Sequence, residues 1–361
     1  MSLDVWRSDP SNRLKELASG VDALYLSGRA NLSAALFAAL DERRTAAEEA
    51  EGPVPFEVAG VEWWVEPRSF GRYRYRLTSP HGLVGITDSE HLPTFRVQPW
   101  AEFLHGVGPL AALHYFEGFG EYLAGGPVHW TLSRLDLFCD VQGWQLEGDD
   151  RRRFVAQSTA RVLREEGEVF TGFEFGRRTT KSVCARIYDK TLQVKAKGND
   201  WWYSIWGDAY DPSQSVLRIE AEIGREGLVS YKVDTPLDGL ERAAGVWAGV
   251  TTDWFSYRTP TNDRTRSRWP MAPEWVQIQQ ARLRGDAAGL ERVRALRRTG
   301  DLRKIMPTLV GYSARVGALV GTDDLDTTMA AIRQLIATDE RRRGVMFADR
   351  LAERAAEEAR R

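Results

Sequence analysis

Ser133-Arg134-Leu135-Asp136-Leu137-Phe138-Cys139-Asp140 alternates between polar and apolar side chains with a period of two, the spacing of a half-buried strand. One face carries Arg134, Asp136, Phe138 and Asp140, and the other Leu135, Leu137 and Cys139. The pattern returns in Val216-Leu217-Arg218-Ile219-Glu220-Ala221-Glu222-Ile223, where Arg218, Glu220 and Glu222 oppose Leu217, Ile219, Ala221 and Ile223. It returns again in Ala185-Arg186-Ile187-Tyr188-Asp189-Lys190, where a strand puts Arg186, Tyr188 and Lys190 together and lets Ala185 and Ile187 point into a core.

Outward from these three segments the chain mixes both kinds of element. A strand is expected over Asp22–Ser27, a helix from Leu32 to Glu51, and a β meander from Phe56 to Gly85. Two helices follow between Pro99 and Gly125, then a long strand from Val128 to Val141 and a helix by periodicity over Asp149–Gly167. Val169 to Lys195 reads as a hairpin, and everything beyond Glu226 leans helical. The expected fold is therefore α+β: a largely antiparallel sheet with flanking helices, followed by an α-helical C-terminal region. The expected division is residues 20–235 for the sheet-bearing domain and 236–361 for the helical one, with Pro260–Pro270 as a linker candidate.

A chain of 361 residues that is 43% hydrophobic, with 13 Trp, 14 Phe and 11 Tyr, has ample material for a folded core. Its two cysteines, Cys139 and Cys184, sit in apolar strand-like stretches and read as buried thiols in a reducing compartment, which favours the cytoplasm. The start Met1-Ser2-Leu3-Asp4 lacks the basic and apolar pattern of a signal peptide, and no apolar run is long enough for a membrane span. The formal charge of −2 argues against a uniformly basic coat, yet the stretch Arg258–Lys304 carries a net +7 and suits a polyanion. A solvated helical face accounts for that stretch equally well.

The polar faces suggest chemistry. If the strands are neighbours, Asp136, Asp140, Glu220 and Glu222 form an oxygen-rich pocket that suits Mg²⁺ or Mn²⁺, which would polarise a phosphodiester. The competing explanation is a structural salt-bridge lattice in which Arg134, Arg186, Lys190 and Arg218 neutralise the acids. Tyr188, flanked by Arg186 and Lys190, is expected to have its pKa lowered and to act as a nucleophile, against the plainer reading of an amphipathic edge strand. No pair of histidines at one-residue spacing, no phosphate-binding Gly-x-x-x-x-Gly-Lys-Ser/Thr loop and no Cys/His zinc cluster occurs.

The ordered set Ser133–Asp140, Arg186–Lys190 and Leu217–Glu222, with Arg225 and Leu228 behind it, resembles the replication initiation factors of the trans-acting Rep family. That family comprises rolling-circle initiators of plasmids and phages and related relaxases of conjugative elements; the resemblance spans roughly residues 20 to 235. It implies a metal-dependent, site-specific DNA nickase in which Tyr188 is the nucleophile, leaving a 5′-phosphotyrosine and a free 3′-hydroxyl. It implies Asp136 and Glu220 as metal ligands, Asp140 and Glu222 as co-ligands or outer partners, and Arg186, Lys190 and Arg218 as stabilisers of the transition state. Arg134, Arg177, Arg178, Lys181, Arg264, Arg266 and Arg268 are the candidate DNA contacts. A separate helicase is the expected partner, with a homodimer left open. A DNA-binding regulator without catalysis and a nuclease in which water attacks are the alternative readings.

Overall fold

The computed structural model describes residues 14–167, 169–177, 182–283, 313–344, 346–349 and 352. In chain order the strands are β1 (Lys15–Arg29), β2 (Val54–Val58), β3 (Val61–Val65), β4 (Tyr75–Ser79), β5 (Gly82–Ile86), β6 (Phe95–Pro99), β7 (His129–Gln142), β8 (Phe154–Ala156), β9 (Arg161–Glu166), β10 (Val169–Phe175), β11 (Val183–Asp189), β12 (Leu217–Gly224) and β13 (Phe255–Tyr257). The helices are α1 (Ala34–Glu49), α2 (Ala101–Val107), α3 (Pro109–Ala124), α4 (Lys190–Lys197), α5 (Trp201–Trp206), α6 (Arg225–Ser230), α7 (Pro236–Glu241), α8 (Ala243–Gly249), α9 (Pro273–Gln279) and α10 (Leu325–Arg343). No helix among the described residues is long and apolar enough to cross a membrane.

The described residues fall into two compact units, one drawn from 14–54 and 64–283 and a smaller one from 55–63 and 313–352. The larger unit is built on an antiparallel sheet in the order β4-β5-β6-β1-β7-β12-β11-β10-β9, which Trp64 and Val65 of β3 extend by pairing with β4. The fold is thus the expected α+β arrangement, and the three alternating segments are neighbours. β7 pairs with β12 through Asp136↔Glu222 and Asp140↔Arg218, and β12 pairs with β11 through Glu220↔Arg186 and Arg218↔Tyr188.

One sheet face is the main core. Leu135, Leu137, Ile219, Ala221, Ile223, Ala185 and Ile187 are all fully buried there. α6 and α7 pack against β7, and Gly227 of α6 fits closely over Ile223. On the opposite face α5 packs Trp202, Ile205 and Trp206 against Phe138, Leu17 and Val194, closing the end of the sheet near Asp140. The apolar residues of the short run Trp201-Trp-Tyr-Ser-Ile-Trp206 recur one turn apart, so one side of α5 is a continuous aromatic surface.

Two local expectations are corrected. Residues 149–167 are not helical: a 3₁₀ turn at Gly148–Arg152 leads into β8 and then β9. Tertiary pairing outweighs the apparent helical period here, since Phe154 is fully buried against Phe173, Phe175 and Tyr257, and β9 completes its hydrogen bonds on β10. Lys190 does not lie on the tyrosine strand, because β11 ends at Asp189, whose carboxylate caps α4 by accepting from the Leu192 amide at 2.9 Å. Cys139 and Cys184 are buried thiols outside any disulfide, as expected.

In the smaller unit, α10 starts at Asp324, which accepts from the Thr327 amide at 2.9 Å, and stops at the left-handed Gly344.

Gly172 backs the tyrosine directly. It pairs with Tyr188, its φ is +155°, and a Cβ there would lie 2.1 Å from the Ile187 carbonyl oxygen and 2.8 Å from the Tyr188 Cα. Only glycine permits that approach. Gly172→Ala is expected to destabilise the larger unit by about 2 kcal/mol or more, read as a lower urea midpoint.

Candidate functional site

β7, β11 and β12 place Arg134, Asp136, Asp140, Arg186, Tyr188, Arg218, Glu220 and Glu222 on one face, so all eight expected residues of these strands converge. The face has a closed half and a more open half.

In the closed half, Arg218 is fully buried, with its guanidinium carbon 4.1 Å from the ring centroids of both Phe138 and Trp202. Its Nε and Nη2 donate to the Asp140 carboxylate at 2.6 and 2.8 Å, and its Nη1 donates to Asp22 Oδ1 at 2.8 Å. Trp206 Nε1 also donates to Asp140, at 2.8 Å. Asp140 therefore has both oxygens engaged inside the protein. Burial alone would raise the pKa of Asp22, but Arg218 and His105, 3.3 Å away, hold it well below the usual carboxylate range. Lys190, buried at the start of α4, sits 4.5 Å over Trp202 and donates to Gln193 at 2.6 Å; burial and then the Arg218 charge bring its pKa down to about 8.

In the open half, Tyr188 Oη donates to Glu220 Oε2 at 2.9 Å, while Arg186 pairs with Glu220 Oε1. Arg134 donates from Nε to Asp136 at 2.7 Å and lies 2.8 Å from Glu222. The expected lowering of the tyrosine pKa is reversed: burial first, and then the Glu220 charge, push it well above 10. Arg218 and Arg186 act in the expected direction and are outweighed. Tyr188 is a protonated donor at neutral pH, and Glu220 accepts its hydrogen bond. Burial also pushes Asp136 up to about 7, against the lowering effect of Arg134.

Asp22, His105, Trp202 and Trp206 belong to this site but were not legible as members of it. By simple alternation Asp22 shares a face with Leu24 and Leu26, which are core residues. A register shift between Val21 and Ala23 turns it to the polar side, and bulges of that kind leave no clear mark in a single sequence. Of the expected DNA contacts, Arg134 belongs to the lattice just described, Arg177, Arg264, Arg266 and Arg268 are exposed, and Arg178 and Lys181 lie outside the described residues.

As placed, the four acids do not constitute a metal-ligand set. Among the described residues no three His, Cys, Asp or Glu side chains are grouped to hold an ion, and each acid faces an arginine. The arrangement has the chemistry of a compensated lattice with a hydrogen-bonded phenol at its edge.

No protein-family model matches the sequence, and no curated protein matches it. Among solved structures, one described as the rolling circle replication initiator protein from Geobacillus stearothermophilus superposes with a TM-score of 0.43 at 14% identity, covering 74% of this chain and 96% of that one. At that level of superposition the likeness carries no argument about residues or chemistry.

Two outcomes test the lattice. Arg218→Ala leaves Asp140 buried without its cation, and is expected to cost about 3–5 kcal/mol in urea unfolding. Between the ordinary value of 3.8 and about 7, folded Asp136 holds a proton that the unfolded chain lacks, so stability is expected to fall as pH rises through that window. Stability curves in EDTA should show this decline, by roughly 2–4 kcal/mol, in the parent chain and not in Asp136→Asn.

Proposed function

We propose that this protein nicks one strand of DNA by attack of Tyr188 on a phosphodiester, initiating rolling-circle replication or conjugative transfer. The observation that carries the reading is the 2.9 Å hydrogen bond from Tyr188 Oη to Glu220, with Arg186 on the other oxygen of the same carboxylate. That constellation supplies a nucleophile, a base and a cation at one place. The order of the three strand motifs, which resembles the trans-acting Rep family, supports DNA as the substrate.

In the proposed step, the Tyr188 proton passes to Glu220 Oε2 as Oη bonds to phosphorus. The bond from phosphorus to the 3′ oxygen breaks, giving a 5′-phosphotyrosine, and the leaving oxygen takes a proton to become a 3′-hydroxyl. Lys190, whose Nζ is 6.0 Å from the Tyr188 ring centroid, is an ammonium with a pKa near 8 and is assigned as that proton source. Arg186 offsets the charge developing on phosphorus, whereas fully buried Arg218 acts by holding the strands in register. Mg²⁺ or Mn²⁺ is retained as a cofactor to be tested and is assigned no step, because the acids are engaged by arginines. Unwinding is left to a separate helicase.

Incubation of labelled origin-containing DNA with the protein and Mn²⁺ should yield a protease-sensitive covalent adduct that Tyr188→Phe abolishes. Glu220→Gln is expected to slow its formation by on the order of 10²–10⁴-fold. An adduct that persists in Tyr188→Phe overturns the assignment, and adduct formation undiminished by EDTA removes the divalent ion. Full compensation of the acids also favours a second reading, a DNA-binding regulator without catalysis, which predicts salt-sensitive binding and no adduct.

A further inference from the structure

A second site lies on the other face of the same sheet. On β10, Gly172 and Glu174 pair with Tyr188 and Arg186, so Phe173 and Phe175 point the opposite way. There, under the edge strand β9, a cavity of about 330 Å³ is lined by Phe173, Phe175, Arg151, Arg152, Arg161 and Arg266. The arginines come from three separate segments: the 3₁₀ turn after β7, the start of β9, and the turn between β13 and α9.

Four guanidinium groups lining one cavity repel each other unless something offsets them. None of the four has a carboxylate within ion-pair distance among the described residues. Asp150, in the same turn, is already engaged by the Tyr257 hydroxyl at 2.5 Å and by Arg153 at 3.5 Å. Arg161 and Arg266 are instead fixed by backbone carbonyls, Arg161 to Phe154 at 3.2 Å and Arg266 to Arg152 at 3.0 Å. Each of those bonds uses one N–H of five, leaving the rest of a fixed fork for an anion with several oxygens. Burial and the neighbouring Arg266 charge both disfavour the cationic form of Arg161, the condition that an incoming anion relieves.

We propose that this cavity binds one nucleotide of an unpaired nucleic-acid strand, its phosphate on the arginines and its sugar and base against the apolar lining. A cavity of that volume admits a single nucleotide unit and excludes a duplex, whereas the mixture of guanidinium and aromatic surface suits a phosphate joined to a ring. The inference rests on the proposed function only in naming DNA as the strand. β9 lies two strands from β11, about 10 Å across the sheet, so a strand leaving Tyr188 reaches the cavity by passing over the β9 edge. The site would hold DNA at a distance from the scissile bond.

The test uses the full chain carrying Tyr188→Phe, so that no covalent step contributes and failure of the nicking assay leaves this result unaffected. Binding of a fluorescent oligothymidylate of about twelve nucleotides is followed by anisotropy over a salt series. Adding Arg161→Ala with Arg266→Ala should weaken binding by about ten-fold or more and flatten the salt dependence. Arg151→Gln with Arg152→Gln, both exposed and with their backbone contacts retained, should do the same without altering the urea midpoint. Unchanged affinity in this second pair overturns the proposal. Thymidine monophosphate should displace the oligonucleotide better than inorganic pyrophosphate does; equal displacement reduces the cavity to a general anion site and also overturns it.

Discussion

The guanidinium of Arg218, shut away from water between Phe138 and Trp202, is satisfied by carboxylates from two other strands, and that requirement ties β1, β7 and β12 to a single register. A slip of one residue in any of them would send a charge into the apolar face. Because both oxygens of Asp140 are used, one also by Trp206, the same interaction fixes α5 on the sheet. Such a buried ion cluster is a costly way to gain stability, since desolvation offsets much of the attraction. Its effect here is geometric: it determines which side chains stand beside Tyr188.

From that anchor, charge alternates along the face. Arg218 answers Asp140 and Asp22, Arg186 answers Glu220, and Arg134 answers Asp136 and Glu222. Tyr188 closes the series as a neutral donor. Of the cations that its sequence neighbours promised, Arg186 is paired with Glu220 and Lys190 donates to Gln193, and burial keeps the phenol protonated. In the proposed reaction, activation of Tyr188 therefore rests on Glu220 more than on a lowered tyrosine pKa. Asp136 shows the same balance from the acid side, where burial outweighs the help of Arg134.

Much of the fold was legible because alternation is local. β7, β11 and β12 announced themselves by period-two faces, whereas α4 was read as the end of a strand although Asp189 and Gly198 cap it. The segment 149–167 was misread because Phe154 and the β9 residues are spaced compatibly with a helix, and their partners, Tyr257 and β10, lie far along the chain or beyond the next turn. Asp22 was missed because a bulge moved it from the core side to the polar side. His105 and Trp206 come from helices that sequence spacing cannot connect to a strand.

Residue order alone determined which side chains share a strand face, since a pleated backbone makes side-chain direction a matter of parity. That grouped Tyr188, the four acids and their arginines on three separate strand faces, and the pairing of β7, β12 and β11 brought those faces together. What only the tertiary structure decided was which charges meet and which remain uncompensated, because electrostatic energy depends on burial and separation between strands distant in sequence. Parity could not reveal that Arg218 is saturated and buried, that Tyr188 donates to Glu220, or that arginines from three segments line one cavity on the opposite face.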